Sequence, residues 1–283
     1  MLWVRSISSW APTNIGPYCK ANTFGRSEEA VTYLAGQIGL DPSTMQLVSK
    51  NGGWGSELIQ SISNCKAVLN AVYDDRNDSF RVMRCVAYVS WKECGLIDDR
   101  CPSSEISTCI RAIRRNLFSE SDLPISILPV PRLPRDAAIE LELITSRISR
   151  CKYVSWKTDS IYFEGSFVRG RCIVASITFL KNDDVRGEEP YFTSLKLSEI
   201  IEENILRRAN LSALQVCVNL QIYVVYTDKS IHSKIRDEIQ QSFLKHKMRH
   251  IAISIIPVHS LSTTLEPLHI LMESFQGERE KNV

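Results

Sequence analysis

All five histidines of the 283-residue chain, His232, His246, His250, His259 and His269, stand in its second half. His246 and His250 are four residues apart, the spacing at which two imidazoles on one helix face can share a metal ion. No carboxylate or cysteine stands at a matching distance to complete a site, so they read as surface histidines. Lys245, Lys247, Arg249 and His250 form the basic end of a helix, where cations complement its dipole. Arg111, Arg114 and Arg115 could touch phosphate, yet their helical spacing fits a solvated face better. Asn51-Gly52-Gly53-Trp54-Gly55 is too short for a phosphate loop and lacks its lysine. The nine cysteines include no C-x-x-C pair, which points to reduced thiols rather than zinc or disulfides, with Cys65 and Cys217 in apolar patterns. Neither a metal nor a cofactor is expected in this chain.

These groups must be carried by an ordinary globular framework. Hydrophobic residues make up 44% and charged residues 23%, and 34 basic side chains face 32 acidic ones. That balance gives no general argument for nucleic acid or an anionic membrane. A basic stripe interleaved with aromatics is also missing, so RNA is not expected as a partner. No apolar run approaches the roughly 18 residues of a membrane span. MLWVRSISSW lacks the apolar core of a secretory signal, and a cytoplasmic chain is expected.

Periodicity places the elements. AVTYLAGQIGL, Ala30 to Leu40, is rich in strand formers and runs into the turn Asp41-Pro42-Ser43. Leu58, Ile62, Cys65, Leu69 and Val72 recur at three and four residues, which predicts an amphipathic helix capped by Ser56. RVMRCVAYVSW reads as a buried strand. A second helix follows, with Ser103 or Ser104 as cap and Ile106, Cys109 or Ile110, Ile113 and Leu117 as its apolar stripe. ISILPV and the alternating AAIELELI, Ala137 to Ile144, close the first half as strands.

ISILPVPRL, Ile125 to Leu133, has a near copy in ISIIPVHSL, Ile253 to Leu261, 128 residues later. IYFEGSF, Ile161 to Phe167, also lines up with TYLAGQI, Thr32 to Ile38, putting Tyr162 on Tyr33 and Gly165 on Gly36. Two matching separations near opposite ends of a domain favour duplication over coincidence. The second half then reads as strand CIVASITFL, an acidic loop Asp183 to Glu189, a helix through Leu195, Ile200, Ile201 and Ile205, and strand VCVNLQIYVVYT. Helix HSKIRDEIQQSFLKHK, strand ISIIPV and LEPLHILMESF complete it. Domains of 1–148 and 151–283 follow, with the boundary near Ser146 to Cys151 and a charged tail, GEREKNV.

APTNIGPYCKA, Ala11 to Ala21, YLAGQIGLDP and LPRDAAIELELI, Leu133 to Ile144, in that order, resemble the Rid family, also called YjgF or the L-PSP endoribonuclease family. The resemblance spans about 130 residues. It implies an α/β (α+β) fold: two tandem chorismate-mutase-like domains, each a mixed sheet with two helices on one face, in a family of homotrimers with clefts between subunits. In active members those clefts hydrolyse enamines and imines. A cation grips the substrate carboxylate and an acid positions water at the imine carbon. Tyr18 matches the family's tyrosine and Glu140 its acid. Ile125 stands where the resemblance places the arginine, and Ala35 replaces a small hydroxyl residue. Loss of the guanidinium removes charge-assisted hydrogen bonds of roughly 1.5–3 kcal/mol each, so classical imine deamination is expected to be lost. The second copy offers Ile253 at the same place and no G-P-Y or L-P-x-D motif.

A degenerate pair of such domains is similar to the C-terminal region of plant and fungal diphthine–ammonia ligases, whose ATP-binding domain has no counterpart in this sequence. The resemblance implies a binding or assembly module, with elongation factor 2 or the ligase domain as partners and ATP only in that other domain. The alternatives are a free-standing imine deaminase and, behind it, an endoribonuclease. In-frame sequence upstream of Met1 carrying an S-G-G-x-D-S segment would mark the chain as part of such a ligase. Self-association through the sheets is expected as well: light scattering should give a mass above that of one chain, and a monodisperse monomer would count against it.

Overall fold

The computed structural model describes residues 1–25, 30–48, 53–73, 80–90, 103–117, 123–146, 152–157, 161–168, 172–179, 216–225, 250–258 and 268–276, with a few helical positions between 236 and 244. Two compact units are formed, one on Met1–Ser149 and the other on Arg150–Val258 with Leu265–Val283.

The first unit is a mixed five-stranded sheet with two helices. Its strands are β1 (Ala21–Phe24), β2 (Val31–Ile38), β3 (Arg81–Ser90), β4 (Ile125–Val130) and β5 (Ile139–Ser146), in the order β1-β2-β5-β3-β4. Only β3 and β4 are parallel. A parallel pair needs a crossover, and α2 (Ser103–Leu117) supplies it. Because successive side chains alternate, Leu141 and Leu143 of β5 face one side while Glu140 and Glu142 face the other. On the apolar side Leu34, Cys85, Ala87, Ile125, Ile127, Leu141 and Leu143 meet Leu58, Ile62, Cys65 and Leu69 of α1 (Gly53–Val72) and Cys109 and Ile113 of α2. Leu58, Ile62, Cys65 and Leu69 of the stripe expected of α1 are thus buried, with Val72 half-buried, as are Cys109 and Ile113 of that expected of α2; the side chains of Ile106 and Leu117 lie outside the described residues. β1, a short edge strand, carried no recognisable pattern.

One local expectation fails. Helix α1 begins at Gly53, whose φ of 63° suits a residue without Cβ, so Ser56 lies inside the helix and does not cap it. What fixes the helix is polar and long-range. Asn64 is buried, and its Nδ2 donates to the carbonyls of Ile38 (3.0 Å) and Leu40 (2.9 Å). Glu57 Oε2 accepts from the Ala138 amide at 2.7 Å. A Cβ on Gly39 would stand 2.7 Å from the Glu57 Cα, so helix and chain touch there. These contacts tie α1 to the end of β2 and the start of β5.

The second unit is a six-stranded sheet: β6 (Lys152–Lys157), β7 (Ile161–Val168), β8 (Cys172–Phe179), β9 (Val216–Val225), β10 (His250–Val258) and β11 (Leu268–Gln276), ordered β10-β9-β11-β8-β7-β6. Only β9 and β10 are parallel. Neighbour order and direction in β7-β8-β11-β9-β10 match those of β1-β2-β5-β3-β4. The two ISI segments occupy the same place in this order, each an edge strand parallel to its neighbour.

The second sequence anchor does not survive. β8, not β7, lies beside β11 as β2 lies beside β5, so the pairing of Tyr162 with Tyr33 and Gly165 with Gly36 misassigns the strand. β7 holds the place of β1, and β6, unforeseen in the sequence, extends the edge. Trp156 of β6 stacks on Phe163 of β7 at 5.2 Å, and Phe163, Ala175 and Ile177 are buried. His250 opens β10 and pairs with Cys217, so it is not on a helix and the helical spacing to His246 does not hold. Arg236, Asp237, Gln240, Gln241 and Leu244 are helical, as expected. The acidic loop, the helix through Leu195 and residues Asn51 and Gly52 lie outside the described residues. No helix among the described residues is long and apolar enough to cross a membrane.

Replacing Asn64 by Ala leaves two buried carbonyls without their donor. We expect the urea midpoint to fall by the equivalent of about 2 kcal/mol with an unchanged m-value, since each lost partner costs about 1–3 kcal/mol.

Candidate functional site

The site is built where β2 breaks its pairing with β5. Leu34 opposes Leu143 and Gln37 opposes Leu141, so the ladder slips between them and Ala35 and Gly36 form a bulge. A Cβ on Gly36 would lie 2.5 Å from the carboxyl carbon of Glu140 and closer still to Oε1. The absence of a side chain at 36 is therefore what seats the Glu140 carboxyl. Gln37 is buried and holds the bulge, its Nε2 donating to the carbonyls of Ala35 (2.6 Å) and Gly36 (3.1 Å).

Desolvation raises the pKa of Glu140, and the charge of Glu142 raises it further, while Lys20 pulls it down. Glu142 accepts from Tyr88 Oη at 3.4 Å and lies 3.6 Å from Arg84, which is buried on the same sheet face. Glu140 is thus the carboxyl whose environment shifts it toward the protonated form, the direction a general acid needs.

Tyr18 comes to Glu140 on the loop before β1. The loop folds back because Thr13 Oγ1 and the Asn14 amide both donate to the carbonyl of Val4, at 2.7 and 3.0 Å. The Asn14 side chain donates to the Tyr18 carbonyl. The ring of Tyr18 lies over Gly16, where a Cβ would meet Cε1 at 2.5 Å. Tyr18 is 41% exposed, and burial followed by the Glu140 charge raises its pKa, so its hydroxyl stays protonated beside the acid.

Of the four residues expected in the cleft, the chain unites three. Tyr18, Ala35 and Glu140 converge; Ala35 brings no hydroxyl, only an amide that donates to the Lys20 carbonyl at 2.9 Å. Ile125 is elsewhere. It pairs with Cys85 at the start of β4 and packs in the core between sheet and helices, on the face opposite Glu140. Within the chain, position 125 contributes packing and no charge to the acid.

Lys20 was missed. It sits two residues after Tyr18 in the G-P-Y segment, is only 3% exposed, and its Nζ donates to Gln37 Oε1 at 3.4 Å. Burial lowers its pKa to about 8, against the raising influence of Cys65 and Glu140. The signal was available as a lysine at a position where the strand pattern on either side is apolar. Burial drives the Cys65 thiol the other way, up to about 12, so it stays a thiol.

The second unit differs at the corresponding positions. Glu140 opposes Tyr88 in β3, and by the same register His269 opposes Tyr223 in β9. The strand position of the acid is therefore held by one of the five histidines. No bulge interrupts β8 against β11. A different carboxylate is buried there: Glu164, which accepts from Tyr153, Tyr162 and Ser176 at 3.3 Å each. Arg111 and Arg115 are exposed, as the solvated-face reading requires, but Arg114 is half-buried with its Nε closed from solvent, so that reading does not hold for it. Among the described residues no three metal-ligating side chains gather.

No family model matches the chain. Individual proteins do. A mouse 2-iminobutanoate/2-iminopropanoate deaminase is 31% identical over 134 residues, 47% of this chain and 84% of the deaminase. A RutC family protein of Pyrococcus horikoshii is 31% identical over 134 residues and covered to 90%. A diphthine–ammonia ligase of Schizosaccharomyces pombe is 29% identical over 146 residues, 50% of this chain but only 20% of the ligase, so the chain spans about a fifth of that relative. Among solved structures, RidA from Psychrobacter sp. PAMC 21119 aligns over 49% of this chain and 95% of its own, at 24% identity and a TM-score of 0.38.

The buried lysine makes stability depend on pH. Its folded pKa, about 8, lies below the ordinary lysine value of 10.5, so the unfolded state holds more protons between them and stability must rise with pH across that window. Relative to Lys20→Met, the wild type should gain about 3 kcal/mol between pH 7.5 and 10.5 in urea denaturation. A flat difference would place Lys20 in water.

Proposed function

Because the chain belongs to the Rid (YjgF, RutC) family, we propose that it serves as a Rid-type binding and assembly module of the diphthine–ammonia ligase kind rather than as a classical imine deaminase. The observation that carries this reading is the divided site. Tyr18 and Glu140 keep the acid and hydroxyl of the cleft, but position 125 is an isoleucine in the core on the other face of the sheet. Arg84, the guanidinium near the acids, is turned to Glu142. A substrate carboxylate entering beside Glu140 would lack the bidentate grip that holds an amino-acid-derived imine.

The ligase context is supported by the matches to diphthine–ammonia ligases of two yeasts, one over 146 residues and one, from Saccharomyces cerevisiae, at 40% identity over 47. On this reading the chain acts in the last amidation step of diphthamide synthesis on elongation factor 2, and ATP is handled outside these 283 residues. The second unit, with its matching strand order, is a diverged Rid-type domain, and the sheets self-associate. Elongation factor 2 or an ATP-binding ligase domain is the partner.

Two measurements test the proposal. With 2-iminobutanoate generated in situ, the chain should not accelerate ammonia release beyond buffer; turnover that disappears in Glu140→Ala would reverse the assignment. Deletion of the gene in its own host should leave elongation factor 2 with diphthine in place of diphthamide by mass spectrometry. Unchanged diphthamide would rule out the ligase context.

A further inference from the structure

The two sheets finish differently at corresponding edges. In the first unit the outer side of β1 is met by residues 1–4: the Leu2 amide donates to the Ala21 carbonyl at 2.8 Å, and the Lys20 amide donates to the Leu2 carbonyl at 2.8 Å. Thr13 and Asn14 then bind the carbonyl of Val4 and fold the segment back, so no flat ladder is offered there. In the second unit the corresponding strand, β7, is flanked by β6, which ends the strand order. β6 pairs with β7 over six consecutive residues without a slip, and among the described residues no strand pairs with its other side. Every second residue of such an edge turns its N–H and C=O outward. The strand is also held firmly: Tyr153 Oη donates to Glu164 at 3.3 Å, and Trp156 stacks on Phe163 at 5.2 Å with the rings 14° apart. Its sequence, Lys-Tyr-Val-Ser-Trp-Lys, contains neither proline nor glycine, and Lys152, Ser155 and Lys157 are exposed.

We propose that β6 is a docking edge for an extended, acid-ended peptide segment of a partner protein, which joins the six-stranded sheet as a further strand antiparallel to β6. The lysines select the occupant. A second copy paired about a two-fold axis would set Lys152 opposite Lys157 at both ends, and like charges directly opposed destabilise a strand pair. An acidic residue at each end of the incoming strand turns both positions into attractions. The register supplies the rest, because directly opposed residues share a sheet face. Val154 and Trp156 lie on the side of Phe163, Ala175 and Ile177, so the residues opposite them are apolar. Tyr153 and Ser155 lie on the side of Glu164 and Ser176, so the residues opposite them carry hydroxyls. The pattern that fits is Glu-Val-Thr-Val-Thr-Glu. Main-chain bonds to a rigid edge give the affinity, and the two end charges give the choice of partner.

The test uses the full chain and fluorescent peptides, with affinity read by anisotropy and location by hydrogen–deuterium exchange. Glu-Val-Thr-Val-Thr-Glu should bind about tenfold tighter than Lys-Val-Thr-Val-Thr-Lys and slow amide exchange in Lys152–Lys157. The double variant Lys152→Glu, Lys157→Glu should reverse the preference. Glu-Pro-Pro-Pro-Pro-Glu keeps the end charges without the inner amide donors and should not bind. Circular dichroism establishes that each protein is folded. No binding to the folded wild type, equal affinity for both end charges, or binding that survives the prolines would overturn the proposal. So would a light-scattering mass that falls as peptide is added, because a second copy would then hold the edge. The result is independent of both the deaminase assay and the state of elongation factor 2.

Discussion

The pleat of β5 governs the first unit. Lying between β2 and β3, it must satisfy two environments in one eight-residue strand, and it does so by strict alternation of leucine or isoleucine with glutamate from Ile139 to Glu142. One set of side chains meets the helices and supplies the middle of the core. The other stands on the opposite face with Tyr88 and Arg84. A slip of one residue would exchange the two sets and bury both carboxylates among Leu58, Cys65 and Ile113. The polar stitches from Asn64 and Glu57 at the ends of β2 and β5 are thus also what keeps the acid facing outward.

Within that frame the electrostatics of the site are set by shortage of water rather than by any single ion pair. Glu140 is pushed toward its neutral form and Lys20 toward its own, each mainly by burial, while their mutual attraction works against both shifts. Two groups that would be fully charged in water are each shifted toward the neutral form. Gln37 makes the arrangement rigid by fixing the bulge on one side and the amine on the other.

The fold was largely legible because its signals are periodic. The 3.6-residue stripe of Leu58, Ile62, Cys65 and Leu69 and the two-residue alternation of Ile139 to Glu142 survive in the structure. The duplicated ISI strand survives too, as the same edge position in both sheets. What failed was information that is not periodic. The Tyr-x-x-Gly match between Tyr33 and Tyr162 is a local similarity that strand order overrules, and Ser56 lost its capping role because a glycine three residues earlier can start the helix. Tyr18, Ala35 and Glu140 were found through motif positions. Lys20 was not, since burial of a lysine is decided by residues distant in the chain, such as Gln37, which accepts its hydrogen bond. Ile125 was located correctly in sequence, yet its side of the sheet follows only from pairing with Cys85.

The strand order also sets a timetable for folding. β2 and β5 are neighbours in space but distant in the chain, as the bond from Thr145 to the Thr32 carbonyl, 113 residues apart, makes plain. Closing a loop of that length costs about 2 kcal/mol more in entropy than closing a ten-residue hairpin, and the contacts that repay it come only once the strands have met. The β1–β2 hairpin and helix α1 can form from local contacts while Gly36 still faces solvent. Insertion of β5 between β2 and β3 is what joins the two halves into one sheet, and it brings the Glu140 carboxyl over Gly36. The raised pKa of Glu140 is accordingly a property of the completed sheet rather than of either half.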